Sequence, residues 1–234
     1  MYRFMGEARI NAVKLERGDK KDQRGNAAFR KRCAKMSEFA PPSSARRWWF
    51  RLVAVLAPLV LLGGLELGLR LAGCGYDARF FVPHAAAPAG DLAENRRFSW
   101  RFFPPTLARY PQPLLFPARK PFGVYRVFVF GESAAEGDPA PEFGFSRILE
   151  VLLRARYPGT RFEVLNVAFT AINSHVVLPI AREAADQQGD LWLVYMGNND
   201  VIGPFGAATV FSRAAPPLPI VRATLALKRT RLGQ

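Results

Sequence analysis

The chain predicts an α/β fold with a parallel sheet, preceded by one transmembrane helix. Three observations predict it. From Gly123 onward, strand-like and helix-like segments alternate. Each strand-like run is almost continuously apolar, as strands covered on both faces are. Near the N-terminus, fourteen uncharged residues stand beside a cluster of tryptophan and arginine. The 234 residues, half of them apolar, suffice for one domain core with appendages.

The first segment is a basic tail, 1–47, with 13 Lys/Arg against 5 Asp/Glu in a chain of net charge +14. It lacks interleaved aromatics and a recognition helix, so no nucleic acid is expected as partner. Residues 48–72 explain the charge better. Leu52–Leu65 is uncharged, Trp48, Trp49 and Phe50 suit a membrane interface, and Arg46, Arg47 and Arg51 flank the run. The run alone is shorter than the ~20 residues of a span. It continues through Glu66–Ala72, however, where Glu66 and Arg70 stand four apart on one helical face.

An uncleaved signal anchor is the leading reading, with 1–47 cytoplasmic and the rest outside. A cleaved leader remains open, and Leu71-Ala72-Gly73-Cys74 resembles a lipoprotein cleavage box. Glu66 and Arg70 argue against that box. Met36 would give a conventional leader, so Met1 and Met36 both stand as candidate starts. The expected location is a bacterial inner (cytoplasmic) membrane, crossed once, with the C-terminal domain periplasmic or otherwise extracytoplasmic.

Residues 73–122 form a linker. Its 75–122 portion holds eight prolines and seven phenylalanines. Proline at that density excludes long regular elements, while aromatics are uncommon in disordered tethers. The segment is expected to lie extended on the domain. Residues 123–234 then read as strand Val124–Phe130, a helix with Phe145, Ile148, Leu149, Leu152 and Leu153 on one buried face, strand Phe162–Ala168, helix His175–Gln187, and strand Leu191–Met196. The tail Ile220–Arg231 reads as a helix packing on its own domain, with a basic amphipathic membrane helix as the other possibility. Two cysteines and two histidines provide no zinc, haem or disulfide framework, and no cofactor is expected.

Each strand ends on polar residues at one sheet edge: Ser133 after the first, Asn166 at the end of the second, Asn199 after the third. Open parallel sheets bind ligands beyond these carboxyl ends. Ser133 alone could equally be a helix cap.

These three blocks resemble the SGNH (GDSL-type) hydrolases. The first family block, G-D-S-x-x-x-G, corresponds to Gly131-Glu132-Ser133-Ala134-Ala135-Glu136-Gly137, with Glu for Asp. The second, N-x-G-x-x-G, corresponds to Asn166-Val167-Ala168-Phe169-Thr170-Ala171, with both glycines replaced. The third, G-x-N-D, is complete at Gly197-Asn198-Asn199-Asp200. The resemblance covers about residues 123–212, and the GES variant looks like the membrane-anchored members. It implies a flavodoxin-like three-layer α/β/α sandwich, incomplete in this chain, and a serine esterase acting on acyl esters or acylated glycans.

The resemblance also implies roles. Ser133 would be the nucleophile. Its N–H, the Ala168 N–H and the Asn199 side-chain amide would form the oxyanion hole. Gly131, Glu132, Gly137, Asn166, Gly197 and Asp200 would support the site.

The family's D-x-x-H block is absent up to Gln234, and a serine needs an adjacent base. His84 lies in the linker and reads as structural or exposed; His175, opening the second helix near the same sheet edge, is a candidate pocket residue, with a base role as the lesser alternative. The chain therefore looks like an N-terminal fragment, expected to be inactive alone. A Glu132/Asp200 glycosidase pair is disfavoured because both residues belong to the blocks. The rival readings are a non-catalytic membrane-anchored binding protein and a cell-envelope sugar O-acetyl transferase.

Overall fold

A computed structural model describes residues 44–84, 90–210 and 214–234. The expectations for 1–43, including Met36 and Cys33, lie outside the described residues. The chain divides into two units, one ending at Leu61 and the other Leu62–Gln234. Helix α1 (Ser44–Leu71) contains Arg46–Leu71, 26 residues long and apolar enough to cross a membrane, with none of its most apolar window buried in protein. At 1.5 Å per residue it reaches about 39 Å, more than the roughly 30 Å of a hydrocarbon core. Pro58 lies inside it. Glu66 and Arg70 pair, at 2.7 Å.

The second unit holds two sheets. Strands β1 (Phe81–Pro83), β2 (Asp91–Glu94) and β3 (Leu115–Pro117) form an antiparallel sheet in that order. Strands β4 (Val124–Gly131), β5 (Arg161–Asn166) and β6 (Leu191–Tyr195) form a parallel sheet in the order β5-β4-β6. Between them run the short helix α2 (Ser133–Glu136), α3 (Phe145–Arg156) and α4 (Ser174–Ala184), the last extended by a 3₁₀ turn to Gln187. Helix α5 (Leu218–Leu227) is the last element.

The alternation of β4 builds two cores, because successive side chains point to opposite faces. Phe128 and Phe130 join Val176, Val177, Ile180 and Ala184 of α4. The linker phenylalanines Phe80, Phe81, Phe98, Phe102, Phe103 and Phe116 are buried in that same cluster. Val127 and Val129 face the other way, onto Ala135 and Ala168. Phe81 meets Phe116 edge to face at 5.3 Å between centroids, a geometry favoured by the ring quadrupoles.

Arg126, buried on β4, ties linker to sheet. It donates to Glu163 at 2.5 Å, to the Gln187 carbonyl at 2.7 Å and to the Pro117 carbonyl at 2.8 Å.

Two expectations fail: β6, read as a strand covered on both faces, exposes Leu191, Trp192, Val194 and Tyr195, and α3 is turned from its expected face. Of the five residues expected on the buried face of α3, Phe145, Ile148 and Leu152 are exposed, with Ile148 at 51% and Leu152 at 60%, while Leu149 and Leu153 are half-buried. The residues α3 buries are Ser146 and Glu150. Ser146 accepts a bond from Asn166, and Glu150 holds Arg147 and Arg154. These polar partners set the rotation of the helix; on its apolar side Phe145 meets Tyr195 edge to face at 6.1 Å, while Ile148 and Leu152 stay exposed.

Candidate functional site

The site begins where β4 stops. A Cβ on Gly131 would collide with the Tyr195 carbonyl of β6 and with Ala135 of α2. Only glycine lets both elements close on the strand end. Gly137 ends α2 at φ 95°, and a Cβ there would stand 2.8 Å from Gly144 Cα. The turn is thereby held between two glycines.

Ser133 is the first residue of α2 and half-buried. It is not the helix cap: Glu132 occupies that position, in extended backbone. The Ser133 carbonyl accepts the N–H of Gly137 at 2.9 Å and of Asp138 at 3.0 Å. Among the described residues its hydroxyl and its N–H have no hydrogen-bond partner, as a first helical turn leaves its N–H groups open.

Glu132 points back into the protein. Its buried carboxylate accepts the Gly197 N–H at 3.3 Å and the Asn199 N–H at 3.1 Å. The first and third polar strand ends are thus joined directly. A carboxylate satisfied by main-chain donors fixes the loop that supplies them. That loop continues to Asp200, which accepts the Ser174 N–H at 2.9 Å and so fastens the start of α4.

Asn166 joins the second strand end to the first. Its Nδ2 donates to the Ala135 carbonyl at 2.8 Å and to Ser146 Oγ at 2.9 Å. Its Oδ1 accepts the Ala168 N–H at 3.1 Å. The Ala168 donor is therefore engaged at home, and meets another oxygen only by giving up that bond. Ala168 lies outside the left-handed region; Ala171, in place of the second block's last glycine, is held at φ 63°. The backbone constraint falls on Ala171.

His175, on the first turn of α4, stands edge to face with Phe205 at 5.9 Å between centroids. His84 is exposed beyond β1, and its N–H donates to the Asp91 carbonyl at 3.1 Å. No hydrogen bond joins either imidazole to Ser133 among the described residues. Nor do the described residues contain a cluster of three or more His, Cys, Asp or Glu able to hold a metal.

Two clefts open beside the turn, of about 870 and 500 Å³, and Ser133 lines neither. Gln112 and Glu136 line both. Burial pushes the Glu136 carboxyl above the usual carboxylate range, opposed by the bond from Gln112 Nε2 at 2.9 Å. The smaller cleft adds Glu94, Arg96, Asp138 and Thr170. Sequence reasoning missed these residues. Glu136 was visible in the first block, but Gln112 comes from the linker, whose path no periodicity reveals.

Fold and site together define a mixed α/β protein with a parallel sheet, one long apolar helix, and polar strand ends bonded to one another at the sheet's carboxyl edge. No protein-family model matches the chain, and no curated protein matches it significantly.

Proposed function

We propose that this chain is a membrane-anchored hydrolase of the SGNH type, acting on acyl esters through Ser133, with its α/β domain outside a bacterial inner membrane. The observation that carries the reading is the bond that buried Glu132 accepts from the Asn199 N–H, which ties the serine turn to the asparagine loop. The order β5-β4-β6 adds support, because doubly wound flavodoxin-like sheets begin with their first strand between the second and third.

In this reading Ser133 Oγ attacks the ester carbonyl carbon and its proton passes to a base. Negative charge gathers on the carbonyl oxygen, facing the Ser133 N–H and the Asn199 amide. Expulsion of the alcohol leaves acyl-Ser133, and water then releases the acid. Losing one fixed donor costs about 10²–10³ in such reactions. Ala168 contributes only if Asn166 Oδ1 releases its N–H.

The missing partner is the base. The test supplies it from solution. The full chain in detergent micelles is given p-nitrophenyl acetate with increasing imidazole, alongside Ser133→Ala. The expected result is little turnover without imidazole, and an imidazole-dependent rate that exceeds the variant's. Equal rates for both proteins at every imidazole concentration would overturn the proposal.

The unpartnered Ser133 hydroxyl and the engaged Ala168 N–H favour one other reading, a binding protein that uses the same edge without catalysis. Binding of an acylated sugar that Asn199→Ala weakens, with no Ser133-dependent turnover, would favour it.

A further inference from the structure

Helix α5 is apolar on both sides. Val221 is buried and Leu225 packs against the phenylalanine core. At 100° per residue, Pro219, Ile220, Ala223, Ala226 and Leu227 form a continuous arc on the opposite side. All five are exposed, Ile220 at 55% and Leu227 at 58%. A surface helix of a soluble domain carries polar residues there; an apolar outer face needs an apolar neighbour.

The chain just after α5 indicates which neighbour. The Arg231 N–H donates to Glu66 Oε1 and the Leu232 N–H to Glu66 Oε2, both at 2.9 Å. Arg231 also donates to the Tyr76 carbonyl, and Gln234 Nε2 reaches the same oxygen at 2.9 Å. Glu66 stands five residues before the end of α1, so the tail is clasped about 7 Å along the axis from that end. Leu227 is four residues before this clasp. The end of α5 is thus tied to the Leu62–Leu71 part of the helix long enough to cross a membrane. Exposed Arg222 stands at the edge of this arc, while Arg229, past the helix end, faces the domain near Arg101 and Glu183.

We propose that α5 rests on the bilayer surface beside the emerging end of α1, its Pro219–Leu227 arc in contact with lipid and Arg222 at the headgroups. An interfacial helix gains from buried apolar area and from anionic lipid together. The proposal does not depend on the chemistry of Ser133.

The test uses the full chain with Cys33→Ser and Cys74→Ser, reconstituted in vesicles of phosphatidylcholine and phosphatidylglycerol. Single cysteines at Ile220, Leu227 and Ala223 carry a nitroxide. A label at Leu178, exposed on α4, reports water, and one at Leu62 in α1 reports lipid. Collisions with oxygen and with a water-soluble nickel chelate give depth. The three α5 labels are expected to shift toward the Leu62 value, favouring oxygen over nickel. Ala223 keeps the test open if Leu227→Cys disturbs packing. Labels as nickel-accessible as Leu178 would overturn the proposal. So would labels shielded from both reagents with dipolar broadening, which would indicate a second copy of the chain on this face.

Discussion

The two ends of β4 each bury a charged side chain, and they do so in opposite ways. Near the amino end, Arg126 is 0% exposed and meets a carboxylate, two carbonyls and the face of Phe116 at 5.0 Å. Beyond the carboxyl end, Glu132 is 1% exposed and, among the described residues, meets no cation, only the N–H groups of Gly197 and Asn199. Arg126 joins rigid parts: β5, the end of the α4 segment and β3. Glu132 joins the serine turn to a loop. A charge neutralised by a side chain holds a scaffold together, whereas one solvated by main-chain donors positions those donors.

Breaking the amino end is expected to have the largest effect. Arg126→Met strands Glu163 and two carbonyls; removing one member of a fully buried pair costs about 3–5 kcal/mol, and the 22% exposure of Glu163 puts the expected cost below that. Thermal unfolding of the full chain in micelles should show a large fall in Tm and earlier proteolysis of the linker. An unchanged Tm would mean that the linker is held without it.

Glu132→Gln keeps the shape but turns an amide nitrogen toward two N–H donors. Hydrogen bonds to charged groups are worth about 1.5–3 kcal/mol. The loss is expected to be local, read as faster hydrogen exchange at Gly197 and Asn199 with a smaller Tm shift than Arg126→Met gives. Uniform loss of protection would erase the distinction between the two ends.

Glu136 sharpens the comparison through pH. Burial raises its folded pKa above the unfolded value, so the folded state holds this proton more tightly. The stability it contributes is present below the ordinary carboxylate value and lost as pH rises through the raised one. Glu136→Gln should flatten this decline and exceed the parent's Tm at neutral pH. A Tm lower than the parent's at neutral pH would contradict it.

The smallest effect is expected at Ala171. Relief of a left-handed alanine, less the entropy cost of glycine, leaves Ala171→Gly stabilising by at most about 1 kcal/mol.

The three parallel strands were legible because runs such as Val127–Phe130 are apolar on both faces. The helix at α4 was legible to one residue at its start, and its expected end, Gln187, is that of the 3₁₀ turn that follows Ala184. The antiparallel sheet was not: strands of three or four residues between prolines have no periodicity to read. The rotation of α3 was misread because Ile148 and Leu152 have helical spacing, while Asn166 and the two arginines fix the opposite side. At the site, the three polar strand ends could be found by their position after each strand. Their mutual bonds could not. Glu132 and Asn199 are 67 residues apart, and only the sheet order makes them neighbours.

Peptide mass mapping tests the central claim most directly. The full chain is exposed briefly to p-nitrophenyl acetate with imidazole, quenched in acid and digested. Acetylation is expected at Ser133, and not at Ser146 or Ser174. An unmodified Ser133, or acetyl groups spread evenly over the serines, would contradict its assignment as nucleophile.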